Sequence, residues 1–133
     1  MNESTQIDKI NDKTADRLIA VNELISYISK IGRSFFNYKD KTAYMFVKKD
    51  KVYMMNEYNG KKMLIDPNGG RPKNWHHGGT LLGLTKDFAL FILGHDDANG
   101  ENGYGGLYCI HWGYAEEEMI LIRQKAKELG YLK

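Results

Sequence analysis

A single cysteine, Cys109, excludes any disulfide within the chain, and that favours a reducing compartment. No apolar run approaches the ~18 residues that a membrane-spanning helix requires. The opening MNESTQIDKIND is polar and acidic, unlike the apolar core of a secretory signal. Together these features predict a cytoplasmic protein with no membrane contact. Arginine is scarce, with four among nineteen basic residues. A rare guanidinium is more often placed for a bidentate or stacked contact than a lysine is, which singles out Arg33, Arg71 and Arg123.

The 133 residues leave room for one domain, 1–133, and no second core. The apolar fraction of 42% is that of a globular chain rather than a disordered one. Nine Tyr, five Phe and two Trp suit a sheet and a surface that stacks flat ligands. The net charge of +2 conceals an uneven distribution. From Lys39 to Lys73 nine basic residues face four acidic ones, whereas the six charged residues from Asp96 to Glu118 are all acidic. The middle of the chain is therefore expected to attract anions.

Hydrophobic periodicity predicts an α+β fold. Ile7, Ile10, Leu18, Val21, Leu24, Ile25, Ile28 and Ile31 recur at helical spacing, giving one long N-terminal helix over 7–31 that Gly32 stops. Asp12 or Thr14 marks its alternative start. The narrow stripe suits a two-helix seam between copies, so the chain is expected to form a homodimer or higher oligomer through helix packing. An antiparallel meander follows: a short strand over 34–38, strands over 41–48 and 51–58, and a returning strand over 61–66. Asn59-Gly60 reads as a type I′ turn in this meander. Pro67 to Gly79 is a turn-rich loop. Thr80 is expected to cap a second helix with Leu81, Leu84, Phe88, Phe91 and Ile92 inward and Gly94 at its end. A polar loop over 95–106, a strand over 107–112 and a final helix over 115–129 complete the chain. Glu116, Glu117 and Glu118 suit the start of that last helix.

The main chemical signal is Gly78-Gly79-Thr80 at a helix N-terminus. Glycines allow close approach of an anion, the first turn has unpaired N–H donors, and the macrodipole adds attraction. Lys73, His76 and His77 supply further donors, and Trp75 could stack a base or plug the core. No lysine follows the glycines, so this is not the loop of a nucleotide hydrolase. His76, His77, His95, Asp96, Asp97, Cys109 and His111 are potential metal ligands, but Cys-x-His and adjacent histidines are poor templates for zinc. Asp97, Asn99 and Glu101 alternate like a calcium loop that lacks its glycine and final glutamate. No catalytic set is complete: Cys109 with His111, and His95 with Asp96 and Asp97, have no evident orienting partner. The expectation is a binding protein without enzymatic activity, metal or cofactor.

The order of motifs carries a resemblance. A long helix ending in IGRSFF (31–36), an aromatic meander with EYNGKKM (57–63), and WHHGGTL (75–81) entering a helix resemble the first type of phage anti-Thoeris sponge proteins, over roughly 7–94. The resemblance implies an oligomeric, non-catalytic protein that binds glycocyclic ADP-ribose signals in recessed pockets near a subunit interface, with cyclic oligonucleotides as further ligands. It carries over Arg33, Phe36, His77, Gly78, Gly79 and Thr80 as ligand contacts. Chemistry alone adds Trp75, Arg71, Tyr104 and Arg123, with rings for adenine and guanidinia for pyrophosphate. The family's arginines before the histidine are represented here by Arg71 and Lys73. Nucleic acid is not the expected partner; the competing reading is a small phage nucleic-acid- or protein-binding factor that uses the basic 39–73 surface.

Overall fold

The computed structural model describes residues 12–95 and 106–132. Among the described residues three helices and five short strands form an α+β fold, as the periodicity predicts. Helix α1 is Asp12–Ser29, and its Val21, Leu24, Ile25 and Ile28 are fully buried. The stripe that suggested a seam between copies therefore packs inside the chain's own core, against the second and third helices and the sheet. The helix stops two residues before the expected end, and Gly32 follows with a φ of +56°. Positions 7–11 of the expected helix lie outside the described residues.

Two antiparallel sheets follow. Strands β1 (Asn37–Tyr38) and β2 (Lys41–Thr42) form the first, and β3 (Tyr44–Lys48), β4 (Lys51–Met55) and β5 (Lys62–Leu64) form a separate three-stranded sheet in sequence order. Three expectations need correction here. The strand expected over 34–38 shrinks to two residues because Ser34 and Phe36 are left-handed, with φ of +56° and +68°. The strand expected over 41–48 breaks at Ala43, whose N–H turns back to the carbonyl of Phe36 at 2.8 Å. Asn59-Gly60 is not a type I′ turn. Gly60 alone is left-handed there, and its N–H closes a wider turn on the Asn56 carbonyl. Paired positive φ values, the mark of type I′, occur instead at Lys39-Asp40 and Lys49-Asp50, in register with Tyr38↔Lys41 and Lys48↔Lys51.

Alternation along the sheet sends Met45, Val52, Met54 and Met63 into the core, where Ala43 joins them from just before β3. Asn22 on α1 clamps the edge of β3. Its amide donates to the Met45 carbonyl at 2.9 Å and accepts the Met45 N–H at 2.7 Å, so polar groups inside the helix–sheet contact are satisfied.

Helix α2 is Gly78–Ile92, with Leu81, Leu84, Phe88 and Ile92 buried as expected. Gly94 follows it at φ +85°, and Arg17 donates from Nε to the Ile92 carbonyl at 3.1 Å, meeting an end that carries partial negative charge. Helix α3 is Glu116–Glu128, acidic in its first turn and basic in its last. Met119, Ile122 and Ala126 point inward. The strand expected over 107–112 is absent: 106–115 is irregular. It is held instead by aromatic packing, with Trp112 donating to the Gly106 carbonyl at 3.0 Å and Phe35, Trp112 and Tyr114 in mutual ring contact. Among the described residues no helix is long and apolar enough to cross a membrane.

Candidate functional site

Three loops converge at the start of α2: the turn after α1, the loop after β5, and the irregular segment before α3. Between them lies a cleft of about 330 Å³ lined by Arg33, Phe35, His77, Gly78, Gly79, Thr80, Leu81, His111 and Trp112. A second lobe of about 290 Å³ opens beside it, lined by Arg33, Ser34, Phe35, Phe36, Asn37, Tyr58, His76, His77 and Leu81. Arg33, Phe35, His77 and Leu81 belong to both lobes, so the two form one divided cleft.

The helix start differs in detail from the expectation. His77, not Thr80, is the N-cap residue, and its side chain makes no capping bond. Thr80 stands third in the helix. The opening amides of an α-helix have no partners within it, and here Gly78 and Gly79 are both exposed. Gly78 adopts φ +78°, a conformation that costs a residue with a Cβ about 1–2 kcal/mol. Trp75 fixes this turn from below. It is 7% exposed, and its indole N–H donates to the Gly78 carbonyl at 2.8 Å. Trp75 thus plugs the core and offers no open ring to a base.

His77 is turned inward: its Nε2 lies 2.7 Å from Oε2 of Glu57, whose side chain is completely buried. No hydrogen bond of good geometry reaches either Glu57 oxygen from the described residues, so the imidazole is the close polar neighbour that this buried side chain has there. A carboxylate beside one imidazole nitrogen fixes the ring's orientation. Glu57 comes from the β4–β5 turn, which Asn56 ties to the cleft loop by donating to the Asn74 carbonyl at 2.7 Å. Periodicity did not mark Glu57 as a site residue, because its burial depends on this tertiary link.

The upper wall is aromatic. Phe35 stacks near Arg33, with the guanidinium carbon 5.4 Å from the ring centroid. Tyr58 lies edge-on to His76 at 5.3 Å and tilted against Tyr38 at 4.6 Å. Tyr114 ties this wall to α1: its hydroxyl donates to the Ile28 carbonyl at 3.0 Å and accepts the Phe35 N–H at 3.1 Å. Burial raises the Tyr114 phenol above its ordinary pKa, favouring the protonated form that donates to Ile28. Among the described residues no acidic side chain lines either lobe.

Of the residues expected to contact a ligand, Arg33, Phe36, His77, Gly78, Gly79 and Thr80 come together here. Phe36 is 1% exposed, however, and the neighbouring Phe35 presents more ring to the cleft. Arg71 does not join them; it is exposed and lines a trough beside β5. Arg123 is also elsewhere. Its guanidinium donates to the Leu107 carbonyl and to Glu116, both at 3.1 Å, and it covers the Tyr108 ring. Helix periodicity could not reveal that Arg123 braces the irregular segment. Tyr104 lies outside the described residues, as do Asp96 and Asp97. Among the described residues no group of three or more His, Cys, Asp or Glu side chains could hold a metal ion.

No solved structure matches the chain. It is similar to the SPbeta prophage-derived uncharacterized protein YoqU of Bacillus subtilis (strain 168), with 34% identity over 125 residues that span 92% of this chain and 87% of that protein. A family model described as YoqU matches residues 11–133. With nearly the whole chain covered in both comparisons, the protein belongs to the YoqU family, which has a prophage-derived member.

Proposed function

We propose that the protein binds and sequesters a cyclic, nucleotide-derived signal of the glycocyclic ADP-ribose class, without chemical turnover, in the divided cleft at the start of α2. The observation that carries this reading is the convergence of Arg33, His77, Gly78, Gly79 and Thr80, from segments far apart in the chain, around one cleft that no acid among the described residues lines. Helix amides and a guanidinium suit a pyrophosphate. The lobe with Phe35, Tyr58 and His76 suits a purine. The resemblance to anti-Thoeris sponges and the prophage origin of a relative agree with a phage accessory role against host immune signalling, acted out in the host cytoplasm. A sponge must bind at about nanomolar levels, or about 12 kcal/mol. Closure of the cleft by a second copy is part of the proposal and would use surfaces other than the buried stripe of α1.

The test is to incubate the protein with glycocyclic ADP-ribose, remove free ligand by filtration, heat-denature the protein and identify what is released by mass spectrometry. Intact signal supports sequestration. Degraded signal identifies an enzyme instead, and no depletion removes the proposal.

A further inference from the structure

The outward face of the three-stranded sheet is a second, chemically distinct surface. Tyr44, Phe46 and Tyr53 point away from the core. Phe46 and Tyr53 are cross-strand partners whose rings are stacked at 5.4 Å and 14°. Tyr44 is 46% exposed and lies 6.2 Å from Phe46. The Lys62 ammonium is 5.4 Å from the centroid of Tyr53. Lys62 and Leu64 then carry the face over the edge of β5 into a trough of about 370 Å³ that Arg71 and Lys73 also line.

The stretch of chain that contains this face is cationic at its surface. All nine basic residues from Lys39 to Lys73 are exposed, against three exposed acids, Asp40, Asp50 and Asp66. The fourth acid of the stretch, Glu57, is buried behind His77.

We propose that this face and trough bind single-stranded polynucleotide, with bases against the rings and phosphates along Lys62, Arg71 and Lys73. Unpaired bases offer flat faces to outward rings, and a cationic groove tracks the backbone irrespective of base sequence. A duplex keeps its bases stacked inside and would use only the lysines. An acidic polypeptide would meet the charge but leave the rings without flat partners. The surface lies outside the cleft, so the proposal stands independently of the cleft's ligand.

The experiment measures fluorescence anisotropy of labelled single strands of about 12 nucleotides, DNA and RNA in parallel, across a salt series. Binding is expected to weaken linearly in log salt. The combined F46L and Y53L variant should bind at least ten-fold more weakly at fixed salt with the slope unchanged. The combined K62Q and R71Q variant should reduce the slope by about 1.4, at ~0.7 per lost phosphate contact. Should the ring variant fail to fold, Y44A carries the same comparison, with a several-fold loss expected. Three results would overturn the proposal: no binding at low salt, equal binding of duplex with no effect of the rings, or displacement by polyglutamate that is indifferent to the rings, which would indicate a protein partner.

Discussion

His77 Nε2 and Glu57 Oε2 lie 2.7 Å apart, with the Glu57 side chain wholly buried and the imidazole 8% exposed. Removing His77 would leave Glu57 in the interior without its close partner. Stripping a buried polar group of its close partner costs about 1–3 kcal/mol, whereas replacing both partners costs much less. His77→Ala is therefore expected to destabilise the fold by about 2 kcal/mol. Adding Glu57→Gln should recover part of that loss. Urea denaturation of the two single variants and the double variant checks this, and strict additivity would show that the pair is not coupled.

Gly32 and Tyr114 make a sharper steric prediction. A methyl group at Gly32 would come within 2.5 Å of the Tyr114 ring, which is held by two hydrogen bonds, and the residue has φ +56°. Gly32→Ala should cost about 3 kcal/mol from left-handed strain and overpacking together. Gly60 has φ +68° with open space around it, so Gly60→Ala should cost only about 1 kcal/mol. Comparable losses in the two variants would show that the Tyr114 ring gives way.

Alkaline pH should weaken the fold. The Tyr131 phenol is held well above its ordinary pKa, first by burial and then by the nearby Asp87 carboxylate to which it donates; burial also raises Tyr114. A phenol that stays neutral when folded but ionises when unfolded contributes fully below the ordinary value of about 10, and the contribution is lost as pH rises through the folded value. Stability should be flat near neutrality and fall above about pH 10. Tyr131→Phe should shallow that fall by about 1.4 kcal/mol per pH unit. Denaturation midpoints on either side of pH 10 measure the difference.

Arg33→Ala and Thr80→Val are expected to reduce retention of glycocyclic ADP-ribose, Arg33→Ala by about ten-fold or more for a lost charged hydrogen bond, with the melting temperature nearly unchanged. Arg123→Ala should behave oppositely. It loses the bond to the Leu107 carbonyl and should cost about 1 kcal/mol of stability with a smaller effect on ligand. Retention assays paired with thermal melts separate the two patterns; wild-type retention by both cleft variants would place the ligand elsewhere.

Helices were the most legible part of the sequence because their apolar spacing extends over several turns. Leu81, Leu84, Phe88 and Ile92, and Met119, Ile122 and Ala126, all point inward as the spacing requires. The glycines at the start of α2 were legible for a local reason, since backbone freedom and helix polarity need no tertiary knowledge. The turns at 39–40 and 49–50 fall where the strand bounds put them, but their paired left-handed geometry was not legible because Lys-Asp occupies positions where Asn-Gly is the usual signal. The 107–112 segment was misread because its apolar residues serve an aromatic plug rather than a strand. Arg71 and Arg123 show that scarcity marks a guanidinium as placed without revealing its partner.

The two Lys-Asp turns carry a design implication. Four residues with a Cβ, Lys39, Asp40, Lys49 and Asp50, hold left-handed conformations at roughly 1 kcal/mol each, although Asn-Gly would fit such corners with less strain. The chain forgoes robustness at the tips of both hairpins and keeps cations there instead. A thermostabilising redesign would start at these corners, and whatever recognition it damaged would reveal what the forgone stability supports.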